Sequence, residues 1–262
     1  MFLIEIPYMN LEQIYNTKQA PRWIRLNENK FIVIHKDKAL KIEQKKERFI
    51  MNCSEEEFFE VWFKYFDLRT DYMNSNFQIK RLSNKFKIVA NRGYGIHILN
   101  QDEFEAYVHS KIIEKVGYSK ASIAMNHIAR VCGIKHVQSM REAGRVTWFE
   151  FPTPEMILEK IENLGKMGKI NNWLRRLCLA IVNDGYDFKN SGNELYKLFT
   201  KESKTIFPVN DIEDLLERNF NCEPEIFADE YLQEIENKGI AYMYVLHHRL
   251  NPPKEMKRYG AY

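Results

Sequence analysis

The stretch on which the fold turns is Arg22-Trp23-Ile24-Arg25-Leu26-Asn27-Glu28-Asn29-Lys30-Phe31-Ile32-Val33-Ile34-His35. Its two ends are rich in β-branched and aromatic residues, which suit a pleated, half-buried surface. Asn27-Glu28-Asn29 lies between them as a turn, so a β-hairpin is expected. Residues 39–42 and 48–51 read as two more short strands. Ser54-Glu55-Glu56-Glu57 then forms a capping box, with Ser54 as N-cap and Glu57 three residues on. The helix it opens carries Phe58, Val61, Trp62 and Tyr65 on one stripe.

From about Phe86 the character changes, and the chain reads as helices with short loops. Residues 103–114 place Phe104, Tyr107, Val108 and Ile112 at helical spacing, and residues 119–131 do the same with Ile123, Ile128 and Val131. Thr153-Pro154 opens a further helix, with Thr as N-cap and Pro in the first turn. Residues 171–182 are strongly apolar, 211–219 and 225–237 read as acidic helices, and 239–250 closes the series. The expected fold class is α+β. A small N-terminal antiparallel sheet with at least one helix spans residues 1–88, and an all-helical body spans 89–262.

Composition excludes several classes. The chain has 262 residues, 45% hydrophobic and 13% aromatic, which is ample for a packed core and rules out disorder. No run approaches the roughly 18 apolar residues of a membrane span, so no membrane partner is expected. Met1-Phe2-Leu3-Ile4-Glu5 has no basic region and does not read as a signal peptide, so a cytoplasmic location is expected. Cys53, Cys132, Cys178 and Cys222 are scattered with no C-x-x-C pair, which fits buried free thiols. No metal site and no cofactor are expected. His247 and His248 are adjacent, so a helix points them roughly 100° apart, which does not suit one metal.

Net charge is +3, but it is unevenly spread. Residues 109–150 carry seven Lys or Arg against three acids, and residues 163–182 carry Lys166, Lys169, Arg175 and Arg176 with no acid. Residues 211–238 hold ten acids and two bases, and the tail is basic again. A polyanion would use the basic segments and be repelled by the acidic one. There is no phosphate loop of the G-x-x-x-x-G-K-[ST] type, no H-E-x-x-H and no nucleophile elbow. Arg92-Gly93-Tyr94-Gly95 holds two glycines without the strand-to-helix context of a phosphate cradle. Trp62, Tyr65, Phe66 and Tyr72 read as core rather than as a stacking platform.

Several phrases, in order, resemble the 8-oxoguanine DNA glycosylase branch of the helix–hairpin–helix glycosylase superfamily. Gln19-Ala20-Pro21-Arg22-Trp23 is similar to the family's S-G-Q-C-F-R-W. Trp62-Phe63-Lys64-Tyr65-Phe66-Asp67-Leu68-Arg69-Thr70-Asp71-Tyr72 is similar to W-x-x-Y-F-D-L-x-x-D-Y. Gly93-Tyr94-Gly95-Ile96-His97-Ile98-Leu99-Asn100-Gln101-Asp102 resembles G-x-G-I-R-I-L-x-Q-D, with His97 in place of Arg. Phe151-Pro152-Thr153-Pro154-Glu155 matches F-P-T-P-E, and Gly239-Ile240-Ala241-Tyr242 resembles a late G-x-A-Q helix. The resemblance covers roughly residues 10–182 and 239–250. It implies a TATA-binding-protein-like α+β domain followed by a helical body, and a DNA partner.

The departures concern the chemistry. The family's G-V-G-x-K hairpin, whose lysine forms a Schiff base, has no counterpart between Tyr186 and Phe207. Lys189, Lys197, Lys201 and Lys204 lie in no glycine turn. Phe207-Pro208-Val209-Asn210 stands at the family's F-P-V-D, so the catalytic candidate becomes Asp211, one residue on. The same residues read as a helix start, with Asn210 as N-cap and Glu213 completing a capping box. The family's asparagine-rich wedge falls at Lys115-Val116-Gly117. Its base-recognising Gln falls at Tyr242, and its stacking Phe falls at Leu246. Tyr242, Trp173 and Leu246 are therefore the expected base pocket. Lys115, Lys169, Arg175 and Arg176 are the expected contacts to the DNA backbone.

The reading is a DNA-binding protein of glycosylase fold that recognises a modified or unusual base in double-stranded DNA and excises it, if at all, without lyase chemistry. One alternative is an inactive interaction protein that docks a basic partner on residues 211–238. The other is a phage-type thymine hypermodification enzyme, an analogy at fold level only.

Overall fold

The computed structural model describes residues 1–190, 232–233 and 235–253. They form two compact units. The first takes residues 1–5, 20–58 and the described residues from 101 to 190, and the second takes 6–19, 59–100 and the described residues from 232 on. Each unit thus draws on both sides of residue 88. A division into domains 1–88 and 89–262 remains a proposal.

The first unit holds a five-stranded antiparallel sheet. Its strands are β1 (Phe2–Glu5), β2 (Ile24–Asn27), β3 (Lys30–His35), β4 (Lys38–Lys45) and β5 (Arg48–Met51), in the order β1-β5-β4-β3-β2. The expected hairpin is β2–β3, pairing Ile24 with Ile32 and Arg25 with Phe31. Phe31, Ile32, Val33 and Ile34 are all buried. Four consecutive buried residues mean that both faces of β3 are covered, because a half-exposed strand would alternate.

The second cover is a hairpin that the sequence reading, helical beyond residue 86, did not anticipate. Strands β6 (Lys135–Met140) and β7 (Gly144–Phe149) pair antiparallel, Met140 opposite Gly144. Met140, Val146 and Trp148 form one buried cluster with Ile32, Ile34 and Ala39. Lys30 and Lys41 both reach Glu142 at the hairpin's tip, at 3.3 and 3.2 Å. Each hairpin strand hides so few apolar residues that local periodicity is weak. The sheet beneath supplies most of the stabilisation. The remaining elements are helices, so the class is α+β with the antiparallel sheet N-terminal.

The longer helices described in the first unit are α6 (Glu103–Val116), α7 (Tyr118–Cys132), α8 (Pro154–Lys160) and α9 (Lys169–Asp184). Asp102 caps α6 by accepting from the Glu105 amide, and Thr153 caps α8 by accepting from Met156. One buried clamp ties the unit together. Arg22 Nε and an Nη donate to the two carboxylate oxygens of Glu105 on α6 at 2.5 and 2.7 Å, and its other Nη donates to the Phe149 carbonyl at 2.5 Å.

The second unit contains α1 (Leu11–Asn16), α4 (Tyr72–Leu82), α5 (Asn84–Arg92) and α10 (Lys238–Leu250). The helix capped by Ser54 begins as α2 (Glu55–Glu57), widens into a π-helical stretch at Phe58–Trp62 and ends as α3 (Phe63–Tyr65). Trp62, Tyr65 and Phe66 are buried and in mutual ring contact. Tyr72 stacks on His97 at 4.0 Å and donates to Asp67 at 2.8 Å. These aromatics are core, as their spacing suggested. Gly93 works by close approach rather than by holding phosphate: a Cβ there would lie 2.4 Å from the Tyr244 ring.

Among the described residues no helix is long and apolar enough to cross a membrane. Asp211, the acidic helix at 211–219, most of 225–237, and Lys197, Lys201 and Lys204 lie outside the described residues.

Candidate nucleic-acid interface

The basic surface of the first unit is built on α9. Ile170, Leu174, Leu177 and Cys178 are its buried stripe, and Lys169, Asn172, Arg176 and Leu179 are exposed. That spacing of three and four residues puts Lys169 and Arg176 on one solvent face. Trp173 is half-buried between the two faces.

Lys115 stands at the end of α6, and its Nζ lies 5.3 Å from the centre of the Trp173 ring. That cation–π contact brings the last turn of α6 against the second turn of α9. Two helices begin beside these residues with glycine at the N-cap, α7 at Gly117 and α9 at Gly168, and neither receives a side-chain cap. Asn10, Ser54, Asp71, Ser83, Asp102 and Thr153 cap their helices. Both uncapped starts lie beside lysines, Lys115 and Lys169; in α9 the Ile170 amide donates to the Met167 carbonyl at 3.2 Å.

The two adjacent arginines differ. Arg175 is ion-paired with Glu162. Arg176 donates through Nε to the Asn172 carbonyl at 3.3 Å and, among the described residues, has no carboxylate partner. Sequence alone could not separate them, because Glu162 enters from another turn of the chain. Arg176 carries an unneutralised charge into solvent, whereas the charge of Arg175 is already offset.

The structure brings Lys115 and Trp173 together and places Lys169 and Arg176 on their helix. Tyr242 and Leu246 sit in the second unit, on α10, where both are buried. Burial in that helix also pushes the His247 imidazole down to about 4, with Arg92 and His248 adding to the effect. Burial raises the Cys53 thiol to about 11 and the Cys178 thiol to about 12, keeping both protonated. Among the described residues no three His, Cys, Asp or Glu side chains converge as a metal site.

Residues 2–107 match the model of the 8-oxoguanine DNA glycosylase N-terminal domain. No curated protein matches the chain. Solved structures match over almost its whole length. MBOgg1 in complex with a low-affinity DNA ligand is 17% identical with a TM-score of 0.78, and 95% of each chain is covered. The apo 8-oxoguanine glycosylase/lyase of Clostridium acetobutylicum is 20% identical with a TM-score of 0.78, covering 94% of this chain and 95% of that one. The 3-methyladenine DNA glycosylase of Archaeoglobus fulgidus is 16% identical with a TM-score of 0.68, covering 95% and 98%. Residues 2–107 thus resemble the 8-oxoguanine DNA glycosylase N-terminal domain, and the chain shares the fold of these solved DNA glycosylases.

Proposed function

We propose that this protein binds double-stranded DNA through the first unit and recognises a modified or unusual base, with no lysine-dependent lyase step. The observation that carries the reading is the grouping of Lys115, Lys169 and Arg176 with Trp173 and two uncapped helix starts. Lys and Arg side chains and helix N-termini hold phosphates, and an aromatic ring beside them stacks on a base. The Clostridium enzyme has also been solved in complex with double-stranded DNA containing cytosine opposite 8-oxoguanine, and this chain covers 97% of it at 21% identity and a TM-score of 0.76.

Binding to duplex DNA should weaken with salt, and each lost phosphate contact flattens the log–log slope by about one. Arg176→Ala should flatten it by about one, and Lys169→Ala by a similar amount. Arg175→Ala should change it less, because Glu162 already offsets that charge. Fluorescence anisotropy across a salt series measures this. Equal slopes in wild type and the Arg176→Ala, Lys169→Ala double variant would remove DNA from this face.

The chemistry has its own test. Without a lysine in a glycine hairpin, borohydride should trap no covalent adduct on an 8-oxoguanine:cytosine duplex, since only an amine nucleophile leaves a reducible Schiff base. A trapped adduct overturns the absence of lyase chemistry and leaves DNA binding intact. Asp211 remains the proposed residue for any lyase-free excision, Trp173 the proposed base-contacting ring of the first unit, and Tyr242 and Leu246 the proposed base-contacting residues of the second. A basic protein docked on residues 211–238 is the competing reading, and loss of DNA binding together with capture of a basic peptide by that segment would favour it.

A further inference from the structure

The first unit contains a cleft of about 540 Å³ that the proposed DNA face does not use. Ser122, Asn126 and Arg130 line one side as a stripe of α7, and Trp148 lines it from β7. Among the described residues no acidic side chain lines it. We propose that this cleft binds a free nucleoside monophosphate.

The hydrogen-bonding state of each lining group defines the ligand. His127 Nε2 lies 2.9 Å from the Leu164 carbonyl, which only accepts, so Nε2 carries the proton and Nδ1 is an acceptor. An Nη of Arg130 donates to that Nδ1 at 3.2 Å, which orients the guanidinium. Its other N–H groups have no carboxylate partner among the described residues, and a guanidinium fork suits a phosphate. Asn126 Nδ2 donates to the Ser122 and Pro21 carbonyls at 2.9 and 3.3 Å, which leaves Oδ1 as an acceptor. The Ser122 hydroxyl donates to the Pro21 carbonyl at 2.7 Å and keeps its lone pairs.

Trp148 is 6% exposed, and its indole N–H is buried without a hydrogen-bond partner. That N–H is closed to solvent, so Trp148 serves the cleft as an apolar wall and as a reporter of what enters it. The cleft therefore asks for one anionic group at Arg130, and for an edge that offers hydrogen-bond donors to Asn126 and Ser122. Ile24, Ile34 and Ala129 supply an apolar lining for the flat faces of a ring. A nucleobase carrying a single phosphate meets all of these. Inorganic phosphate meets only the first, and a fatty acid lacks the donors. The size is also within the range of small-ligand pockets, roughly 300–1,000 Å³.

The test is a titration of the nitrogen-15-labelled protein with AMP, GMP, CMP and dTMP, following the Trp148 indole resonance, which a Trp148→Phe variant assigns. At least one nucleotide should shift it at millimolar concentration. Arg130→Ala, a change at an exposed helix position, should weaken that binding about tenfold or more. The parent nucleoside and inorganic phosphate should each bind more weakly than the nucleotide. A resonance that no nucleotide moves overturns the proposal. So does an equal affinity in Arg130→Ala with a wild-type melting curve, or a response that inorganic phosphate alone reproduces. The proposal does not rest on DNA binding, and its failure leaves the proposed function standing.

Discussion

Glu105→Ala should destabilise the protein by about 3–5 kcal/mol, read as a lower urea midpoint at an unchanged slope. The side chains of Arg22 and Glu105 are 2% and 9% exposed. Removing the carboxylate leaves a guanidinium buried beside the Phe149 carbonyl with two of its donors unmet. The stranded charge dominates the loss, since a buried ion pair recovers little beyond its own desolvation. Arg22→Met combined with Glu105→Leu removes both charges and keeps the volume. It should therefore cost far less than Glu105→Ala alone. A double variant as unstable as the single would show that packing, not the uncompensated charge, sets the cost.

Acidification should produce the second large loss. Burial, together with Lys36 and Arg22, pushes His35 down to about 4 against the opposing pull of Asp102 and Asp37. Burial pushes His247 down to about 4 as well, and Arg92 and His248 act in the same direction. Both groups bind protons more readily in the unfolded chain, near pH 6.5, than in the folded one. Their contribution is therefore complete above about pH 6.5 and is lost as pH falls from there through about 4. At pH 5 each histidine should have lost about 2 kcal/mol relative to pH 7.5. His247→Gln removes its share, so the gap between variant and wild type should narrow by about that amount between the two pH values. A constant gap in urea midpoints across this range would rule out His247 as a source of the acid sensitivity.

Legibility followed the range of the interaction. Ser54 and Thr153 accept from amides three residues on, and such bonds are written in neighbouring letters. The β2–β3 hairpin was readable for the same reason. The β6–β7 hairpin was not, because its inward residues have meaning only against Ile32, Ile34 and Ala39. The basic residues of the interface were legible as charges, but not their state. Arg175 and Arg176 are equal as letters and unequal in the fold, and Trp173 gains its cation from Lys115 on another helix.

The sequence by itself determined the N-terminal strands, the Ser54 and Thr153 helix caps, most of the helices that follow and the ordered phrases that resemble the glycosylase family, because periodicity, capping and turn chemistry act over a few residues. The tertiary structure alone decided that Arg22 meets Glu105 across 83 residues, that a second hairpin covers β3, and that α7 and β7 line one cleft. Those contacts join segments far apart in the chain, and only the folded path sets their distances and the dielectric around them.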